Sequence, residues 1–211
     1  MRSLPVHLHD VAILLRDPGS GDLSRIGVGL EVQSLDDEGA IQTAHDSVGH
    51  RIPELRMQRR LRNGLRFLRF DVGGVPVATT WAAGTGRYID EISWLLPIGP
   101  GEWWVRDLFI APGWRGKGLF NDIAAALSRL SDGTARRVWS DVDLVNVQSM
   151  RSHEKAGFRV IARVRALDLN GRFRVRSALP PWPLPVTEID PASRWIWLRG
   201  QRLHRHQELL A

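Results

Sequence analysis

Apolar residues recur every three or four positions after residue 118, and this spacing predicts a helix with one buried face. The members of the apolar stripe are Leu119, Ile123, Leu127 and Leu130. Residues 131–133 carry a helix-stop pattern ending in glycine. Before the helix, the apolar run over residues 105–110 predicts a strand, and Pro112 ends it because proline cannot donate to a sheet. The pattern therefore predicts a strand, a short turn and a helix in succession.

Other apolar segments bounded by turn residues predict further strands. They cover residues 27–34, 65–72, 75–82, 137–145, 158–168 and 173–178, with more extended chain within residues 87–110. Gly73-Gly74 and Asn170-Gly171 each lie between two of these segments and predict hairpins.

Residues 35–62 predict two helices rather than one, because Gly49 and Pro53 interrupt the helical pattern. The second helix covers residues 54–62. A shorter helix is predicted over residues 149–156, with Gly157 closing it.

Both ends of the chain fall outside this pattern. Near the start, the apolar residues 11–15 predict a strand added at a sheet edge. At the other end, the proline-rich residues 180–185 predict stiff extended chain, and residues 192–210 predict a basic amphipathic helix with several tryptophans. Three docking sites for this tail are alternatives: the rest of the protein, a second subunit in a homodimer, and a membrane surface.

The turn between the predicted strand and helix reads Arg115-Gly116-Lys117-Gly118. Two glycines allow an anion to approach their backbone amides, and the start of a helix favours negative charge. Arg115 and Lys117 add positive charge. The turn predicts a phosphate site, although a simple chain reversal has the same composition. It matches neither the Walker loop nor the dinucleotide-binding glycine fingerprint.

Two motifs in this order resemble the GNAT-type acyl-CoA N-acyltransferase superfamily. Its pyrophosphate loop, Arg/Gln-x-x-Gly-x-Gly/Ala, lands on Arg115, Gly118 and Phe120, and only Phe120 departs from the pattern. A second motif, Asn-x-x-Ala-x-x-x-Tyr-Glu-Lys-x-Gly-Phe, corresponds to residues 146–158. There, Ser149 replaces alanine and His153 replaces tyrosine.

The resemblance implies an α/β (α+β) fold with a mixed, mostly antiparallel central sheet flanked by helices, in the order β-α-α-β-β-β-α-β-α-β-β. It implies a domain at residues 27–178, with extensions at residues 1–26 and 179–211. It also implies acetyl-CoA or another acyl-CoA as co-substrate. The residues expected to contact it are Leu108, Phe109, Ile110, Arg115, Gly116, Lys117, Gly118, Leu119, Phe120 and Asn146.

Among catalytic candidates, His153 occupies the position of the family's tyrosine acid, and an imidazolium donates a proton readily near neutral pH. The alternative is that His153 packs or caps the short helix. Asn146 has a similar alternative as a helix cap. For the general base, Glu91 and Asp107 are the nearest carboxylates in sequence. Asp141 and Asp143, on one face of a predicted strand, are alternative bases. The residues considered as the lining of an apolar acceptor or acyl pocket are Trp81, Trp94, Trp103 and Trp104, with plain core packing as the alternative.

Composition fits one globular protein, since the 211 residues are 43% hydrophobic. The absence of cysteine excludes a disulfide framework and a thiolate nucleophile, and predicts a cytoplasmic protein. No apolar run is long enough for a membrane span. His204 and His206 lack a third ligand, so no metal site is predicted.

The net charge of +6 favours a polyanionic partner, but genome composition explains the arginine content equally well. The leading hypothesis is therefore an N-acyltransferase that moves an acyl group, expected to be acetyl, from coenzyme A to a primary amine of a small molecule or peptide. Direct attack in a ternary complex is the expected mechanism. The alternatives are a long-chain acyl donor, including acyl carrier protein, and a non-catalytic acyl-CoA-binding module. Nucleic acid is not expected as a partner, because no recognised motif accompanies the charge.

Overall fold

The computed structural model describes residues 6–17, 29–84, 87–89, 94–96, 98–99, 101–128, 137–169, 173–179 and 195–199. Within these ranges the helices are α1 (Glu38–Val48), α2 (Glu54–Arg62), α3 (Leu119–Leu127) and α4 (Val147–Lys155). The strands are β1 (Val6–Arg16), β2 (Leu30–Leu35), β3 (Arg66–Val72), β4 (Val75–Ala83), β5 (Arg87–Ile89), β6 (Trp94–Leu96), β7 (Trp103–Ile110), β8 (Val138–Asp143), β9 (Arg159–Leu169), β10 (Phe173–Leu179) and β11 (Trp195–Arg199). None of the helices in these ranges is long and apolar enough to cross a membrane.

Nine of the described strands form one sheet in the order β11-β10-β9-β1-β8-β7-β4-β3-β2. Neighbouring strands run antiparallel except for β7 and β8, which are parallel. The short β5 and β6 pair separately. The predicted mixed, mostly antiparallel sheet flanked by helices is confirmed.

Helices cover both faces of this sheet. On one face, α1 and α2 contribute buried Ile41, Ala44 and Met57 to a core with Phe67 and Trp81. On the other face, α3 buries Leu119, Ile123 and Leu127 of its predicted apolar stripe, and Phe158 belongs to the same cluster. Burying both faces gives the sheet two apolar layers and fixes which side of each strand faces which helix.

Local sequence signals place the helices well. Helix α1 begins after Asp37, whose carboxylate accepts a hydrogen bond from the Ala40 amide at 2.8 Å. Gly49, with a φ of 76°, ends it, and α2 covers the predicted residues 54–62. The predictions at Leu130, at residues 131–133 and at Asn170-Gly171 lie outside the described residues.

The prediction of an edge strand near the start of the chain is wrong. Strand β1 lies inside the sheet, antiparallel to both β8 and β9, with Ile13 fully buried. Its short apolar run gives no information about which strands it pairs with, because partners are chosen by long-range packing. Residues from the predicted N-terminal extension thus belong to the central sheet.

The helix predicted over residues 192–210 is also wrong for Trp195–Arg199, which forms β11 and pairs with β10. Aromatic and β-branched residues fit a strand as well as an amphipathic helix, and pairing with an available sheet edge decides between them. The rest of that segment, and residues 180–185, lie outside the described residues.

Candidate functional site

The parallel strands β7 and β8 separate partway along their length. In the described sheet their pairing covers three positions and ends where Val105 meets Ser140. Beyond this point β7 continues to Ile110 and β8 to Asp143, and the space between them is a cavity of about 370 Å³. We call this space the cleft. It exposes backbone along two strands that a continuous ladder would otherwise pair.

A β-bulge in β7 lies beside the point of separation. Thr79 pairs with Phe109 while Trp81 pairs with Arg106, so Asp107 and Leu108 together oppose one residue of β4. Asp107 has a φ of 50°, which is uncommon for a residue other than glycine. A bulge interrupts the regular ladder, and here its two residues, Asp107 and Leu108, line the cleft.

The glycine turn follows β7 directly and forms the outer end of the site. Gly116 and Gly118 have φ angles of 74° and 84°, a left-handed conformation that favours glycine. Gly118 is also the N-cap of α3, so the positive end of the helix dipole points into the turn. A Cβ added at either glycine would meet no atom within 4 Å, so the space in front of the turn is open. That space is a second cavity, of about 490 Å³.

The two basic side chains of the turn are held at its rim. The Arg115 Nε donates a hydrogen bond to the Ile110 carbonyl at 2.9 Å, and its guanidinium lies 5.0 Å from the centre of the Phe109 ring. The Lys117 ammonium lies 5.2 Å from the centre of the Trp114 ring. Both positive charges therefore remain beside the glycine amides, where an anion gains from them.

Helix α4 supplies the third side of the site. The Asn146 side chain accepts a hydrogen bond from the Ser149 amide at 3.0 Å and so caps this helix. The same residue lines both the cleft and the outer cavity. The two predicted roles of Asn146, as a cap and as a ligand contact, are geometrically compatible, because its amide nitrogen is not needed for the cap.

His153 is buried on α4 and faces the cleft. Its Nε2 lies 2.9 Å from the Ser140 Oγ, and its Nδ1 lies 2.9 Å from the Ser149 carbonyl. Phe120 and Phe158 pack against the ring at centroid distances of 4.7 and 4.9 Å. Burial lowers the pKa of His153 below its usual value, although the Ser149 carbonyl and Asp141 act in the opposite direction. The neutral ring is thus the favoured form near pH 7.

The carboxylates considered as bases have different surroundings. Asp107 forms an ion pair with Arg60, which is fully buried. Asp141 accepts a hydrogen bond from the Trp104 indole at 2.6 Å, and Asp143 accepts one from the Val145 amide at 3.1 Å. Glu91 lies outside the described residues.

The tryptophans considered as pocket-lining residues also have different surroundings. Trp81 and Trp104 are fully buried in the core under α1 and α2. Trp103 is partly buried and packs against the opposite cluster, with the Arg66 guanidinium 5.2 Å from its ring centre. The side chain of Trp94 is outside the described part of the structure.

A model of the GNAT acetyltransferase family matches residues 38–158, which is more than half of the chain and includes the glycine turn, the cleft and α4. The chain belongs to the GNAT acetyltransferase family. No curated protein matches its sequence.

Solved structures share the GNAT fold at low sequence identity. A putative GNAT acetyltransferase from Novosphingobium aromaticivorans is 14% identical with a TM-score of 0.51, over 80% of this chain and 68% of that one. A GNAT acetyltransferase from Colwellia psychrerythraea is 13% identical with a TM-score of 0.50, over 79% and 57%. A functionally unknown protein from Staphylococcus epidermidis is 10% identical with a TM-score of 0.55, over 78% and 63%. The chain thus spans less than two thirds of the latter two proteins.

Two histidines of this GNAT protein were missed by sequence reasoning. His50 stacks on Phe109 beside the bulge, at a centroid distance of 4.5 Å and an interplanar angle of 7°. His45 lies 5.2 Å from His50, is 1% exposed, and has no hydrogen-bond partner at either ring nitrogen. Burial lowers the pKa of both rings, to about 4 for His45. No sequence signal identifies them, since the end of α1 meets β7 only in the folded protein.

Sequence reasoning also missed Ser140 as a residue of the site, although its position in the sequence carried a signal. It is a small polar residue in the otherwise apolar run Val138-Trp139-Ser140, and strand alternation puts it on the opposite face from Asp141. A hydroxyl at a buried strand position needs a partner, and His153 provides it.

Proposed function

We propose that this protein is an N-acyltransferase that moves an acyl group, with acetyl as the expected group, from coenzyme A to a primary amine of a small molecule or peptide. The observation that carries the proposal is the continuity of the glycine turn with the cleft. This arrangement suits a long donor with an anionic head and an amide-rich arm. The glycine turn at one end would bind the head, and the unpaired strand backbone at the other end would bind the arm.

The residues expected to hold the donor follow from this arrangement. The amides of Gly116, Gly118 and Leu119 would bind pyrophosphate, with Arg115 and Lys117 adding charge at the rim. The backbone from Leu108 to Ile110 and the side chain of Asn146 would bind the pantetheine arm. Phe120, in place of a small residue, keeps its amide available, and its ring packs against His153.

The chemistry requires an oxyanion site and a proton acceptor. In this proposal, amides of the bulge in β7 would bind the oxygen of the thioester carbonyl as it develops negative charge. For the amine proton, the Asp107 carboxylate is already held by Arg60, whereas the neutral His50 ring lies beside the same bulge. We therefore add His50 to Asp107 and Glu91 as proposed bases. Proximity of amine and thioester supplies on the order of 7–11 kcal/mol of the barrier reduction in such reactions.

The buried, neutral state of His153 changes its proposed role as an acid. An imidazolium is disfavoured in this environment, so His153 would first have to accept a proton during the reaction before returning it to the leaving thiolate. Its Nε2 is the atom oriented for this exchange, through the Ser140 hydroxyl.

A longer acyl donor, delivered on acyl carrier protein, is a second candidate because exposed apolar side chains adjoin Asn146, which lines the cleft. Val145 and Val147 flank Asn146 and are 82% and 52% exposed. Lys155 lines the outer cavity, and its positive charge suits an acidic carrier. Thiol release with long-chain but not acetyl donors would favour this candidate over acetyl transfer.

The first test is calorimetric binding of acetyl-CoA, free coenzyme A and dephospho-CoA. Gly118→Asp places a carboxylate beside the proposed pyrophosphate site, and we expect it to weaken acetyl-CoA binding by at least about 100-fold, which corresponds to ~2.7 kcal/mol. Gly73→Asp is the matched control, because Gly73 also has a positive φ, of 57°, but lies in the hairpin between β3 and β4.

Binding by the wild type and the control, with loss in Gly118→Asp, would support the donor site and justify a screen of amines. Failure of all three ligands to bind the wild type would remove the basis of the proposal. Tight binding with no transfer to any amine would instead favour a non-catalytic acyl-CoA-binding module.

A further inference from the structure

Thr80 is the single β4 residue opposite the two-residue bulge of β7. Its neighbours Thr79 and Trp81 pair with Phe109 and Arg106, on either side of the bulge. Thr80 is fully buried, and its hydroxyl donates a hydrogen bond to the Arg106 carbonyl at 2.9 Å. The Trp81 carbonyl lies farther from the same hydroxyl, at 3.4 Å. Because a hydroxyl has one hydrogen, the contact with Arg106 is the stronger hydrogen bond.

This hydrogen bond fixes the direction of the peptide that joins Arg106 to Asp107. The carbonyl and the N–H of a planar trans peptide point in opposite directions. Strand β7 lies between β4 and β8, and the Thr80 hydroxyl holds the Arg106 carbonyl on the β4 side. The Asp107 N–H of the same peptide is therefore directed toward β8. Since β8 stops pairing with β7 after Val105, that direction leads into the cleft, which Asp107 lines.

A second contact holds the bulge from the opposite face of the sheet. By strand alternation Thr80 lies on the same face as Ala82, which belongs to the apolar cluster under α3. Arg60 reaches the Asp107 carboxylate from α2, on the other face. A positive φ at a residue other than glycine persists only where the surroundings hold it, and Asp107 has a φ of 50°. The orientation of the bulge thus depends on side chains that reach it from both faces.

We propose that Thr80 is a positioning residue, which orients the peptide between Arg106 and Asp107 so that its N–H meets the carbonyl oxygen of a bound acyl thioester. This inference rests on the proposed binding of acyl-CoA in the cleft. Thr80 lines neither the cleft nor the outer cavity, so it acts through the Arg106 carbonyl and not by contact with the donor. Without its hydroxyl the peptide can rotate, and the thioester carbonyl is then less polarised.

The experiment measures the thioester carbonyl itself and needs no amine. Acetyl-CoA isotopically labelled at the carbonyl carbon is bound to the full chain, and infrared difference spectra record the stretching frequency of that one bond. A stronger hydrogen bond to the oxygen lowers this frequency. Thr80→Val keeps the shape of the side chain without the hydroxyl, so we expect the bound carbonyl to absorb at a higher frequency than in the wild type. Calorimetry should show acetyl-CoA affinity within about tenfold of the wild type, the effect of one hydrogen bond, because the glycine turn is unchanged.

Three further variants separate the hydroxyl from its surroundings. Thr80→Ser keeps the hydroxyl and should restore the wild-type frequency. Thr80→Ala also removes the hydroxyl and should shift the band in the same direction as Thr80→Val, which covers the case that valine prevents folding. Thr79→Val is the matched control and should leave the frequency unchanged. Thr79 is equally buried at the neighbouring position, but its hydroxyl has no hydrogen-bond partner among the described residues. Circular dichroism spectra establish that each variant is folded.

The outcomes separate the two proposals. If bound acetyl-CoA gives the same frequency in the wild type and in the Thr80 variants that lack the hydroxyl, the positioning proposal is overturned and the transferase proposal stands. An equal shift in Thr79→Val would also overturn it, because packing alone would then explain the change. If acetyl-CoA does not bind the wild type at all, both proposals are overturned.

Discussion

Buried polar side chains on the α1–α2 side of the sheet link stability to the candidate site at the scale of single residues. Arg60 is fully buried, forms an ion pair with Asp107 and lies 5.2 Å from the centre of the Trp81 ring. Asp107 carries the positive φ of the bulge. The ion pair between Arg60 and Asp107 thus neutralises a buried charge and holds the backbone beside the cleft. Substitutions in this pair should therefore affect folding as well as chemistry.

Asp107→Asn should destabilise the fold, because it removes the countercharge of a buried guanidinium. Asp107 is 38% exposed, so we expect a loss on the order of 2 kcal/mol, between the values for surface and fully buried pairs. The free energy of unfolding in urea measures this loss. Asp46→Asn, which breaks the exposed pair with Arg51, should cost less than about 1 kcal/mol. Equal losses in the two variants would argue against a structural role for the Asp107 pair.

His45 should make the protein less stable in acid. Its folded-state pKa of about 4 lies below the ordinary value of 6.5, mainly because of burial. Above pH 6.5 both states are neutral at this residue and it contributes no pH dependence. As the pH falls from 6.5 to 4, the unfolded chain binds a proton that the folded protein excludes, and stability is lost, by on the order of 3 kcal/mol.

His45→Leu should reduce that loss. Neither ring nitrogen has a hydrogen-bond partner, so leucine leaves no polar group unsatisfied and should be neutral or stabilising at pH 7. Urea unfolding of the two proteins at pH 7 and pH 4.5 provides the comparison. A difference between them that does not change with pH would show that His45 is not the group responsible.

At the scale of elements, helix ends follow local sequence signals while strand partners do not. Gly49 ends α1 as predicted, and Asp37, which caps its start, is of a residue type that favours this position. The hairpin across Gly73-Gly74 is equally local. By contrast, the apolar residues of β1 correctly predicted a strand but the wrong place for it in the sheet, and the aromatic residues of β11 were wrongly predicted as helix. Both depend on which neighbouring strand is available for pairing.

Asp37→Ala should destabilise the protein by about 1 kcal/mol, since it removes the side-chain cap on the Ala40 amide. For a chain of this length the melting temperature should fall by roughly 2–4 °C. Asp36→Ala is the adjacent control, because it removes the same charge from an exposed position just outside the cap. Thermal melts followed by circular dichroism should show a clear shift for Asp37→Ala alone.

At the scale of the whole molecule, the sheet is continuous through a strand that precedes the family-matched region. The GNAT match begins at residue 38, yet β1 lies between β8 and β9 and contributes fully buried Ile13 to the core. Strand β8 also forms one wall of the cleft. The start of the chain therefore supports the wall that carries Ser140.

Deletion of residues 1–17 should prevent folding, because it removes a central strand and exposes the edges of β8 and β9. Deletion of residues 191–211 removes β11 from one edge of the sheet and should leave cooperative unfolding and acetyl-CoA binding intact. Gel filtration, thermal melts and calorimetry compare the two proteins. A folded, acetyl-CoA-binding protein without residues 1–17 would show that the N-terminal segment is an appendage.

The sequence alone determined the features that depend on neighbouring residues. The glycine turn, the end of α1 at Gly49, the helix cap at Asn146, and the two motifs that resemble the GNAT family are all evident in the order of the residues, because turn and helix-end chemistry acts over a few positions. The same signals placed Arg115, Gly118 and Asn146 around one site. They identified the family and predicted the mixed sheet.

Only the tertiary structure decided how distant residues combine. It placed β1 in the centre of the sheet, brought His50 from the end of α1 against Phe109, and paired Ser140 with a buried His153. Burial among Phe120 and Phe158 then lowered the pKa of His153, which favours its neutral form near pH 7. Strand partners, burial and the electrostatics that follow depend on packing across the whole chain, and no local pattern of residues encodes them.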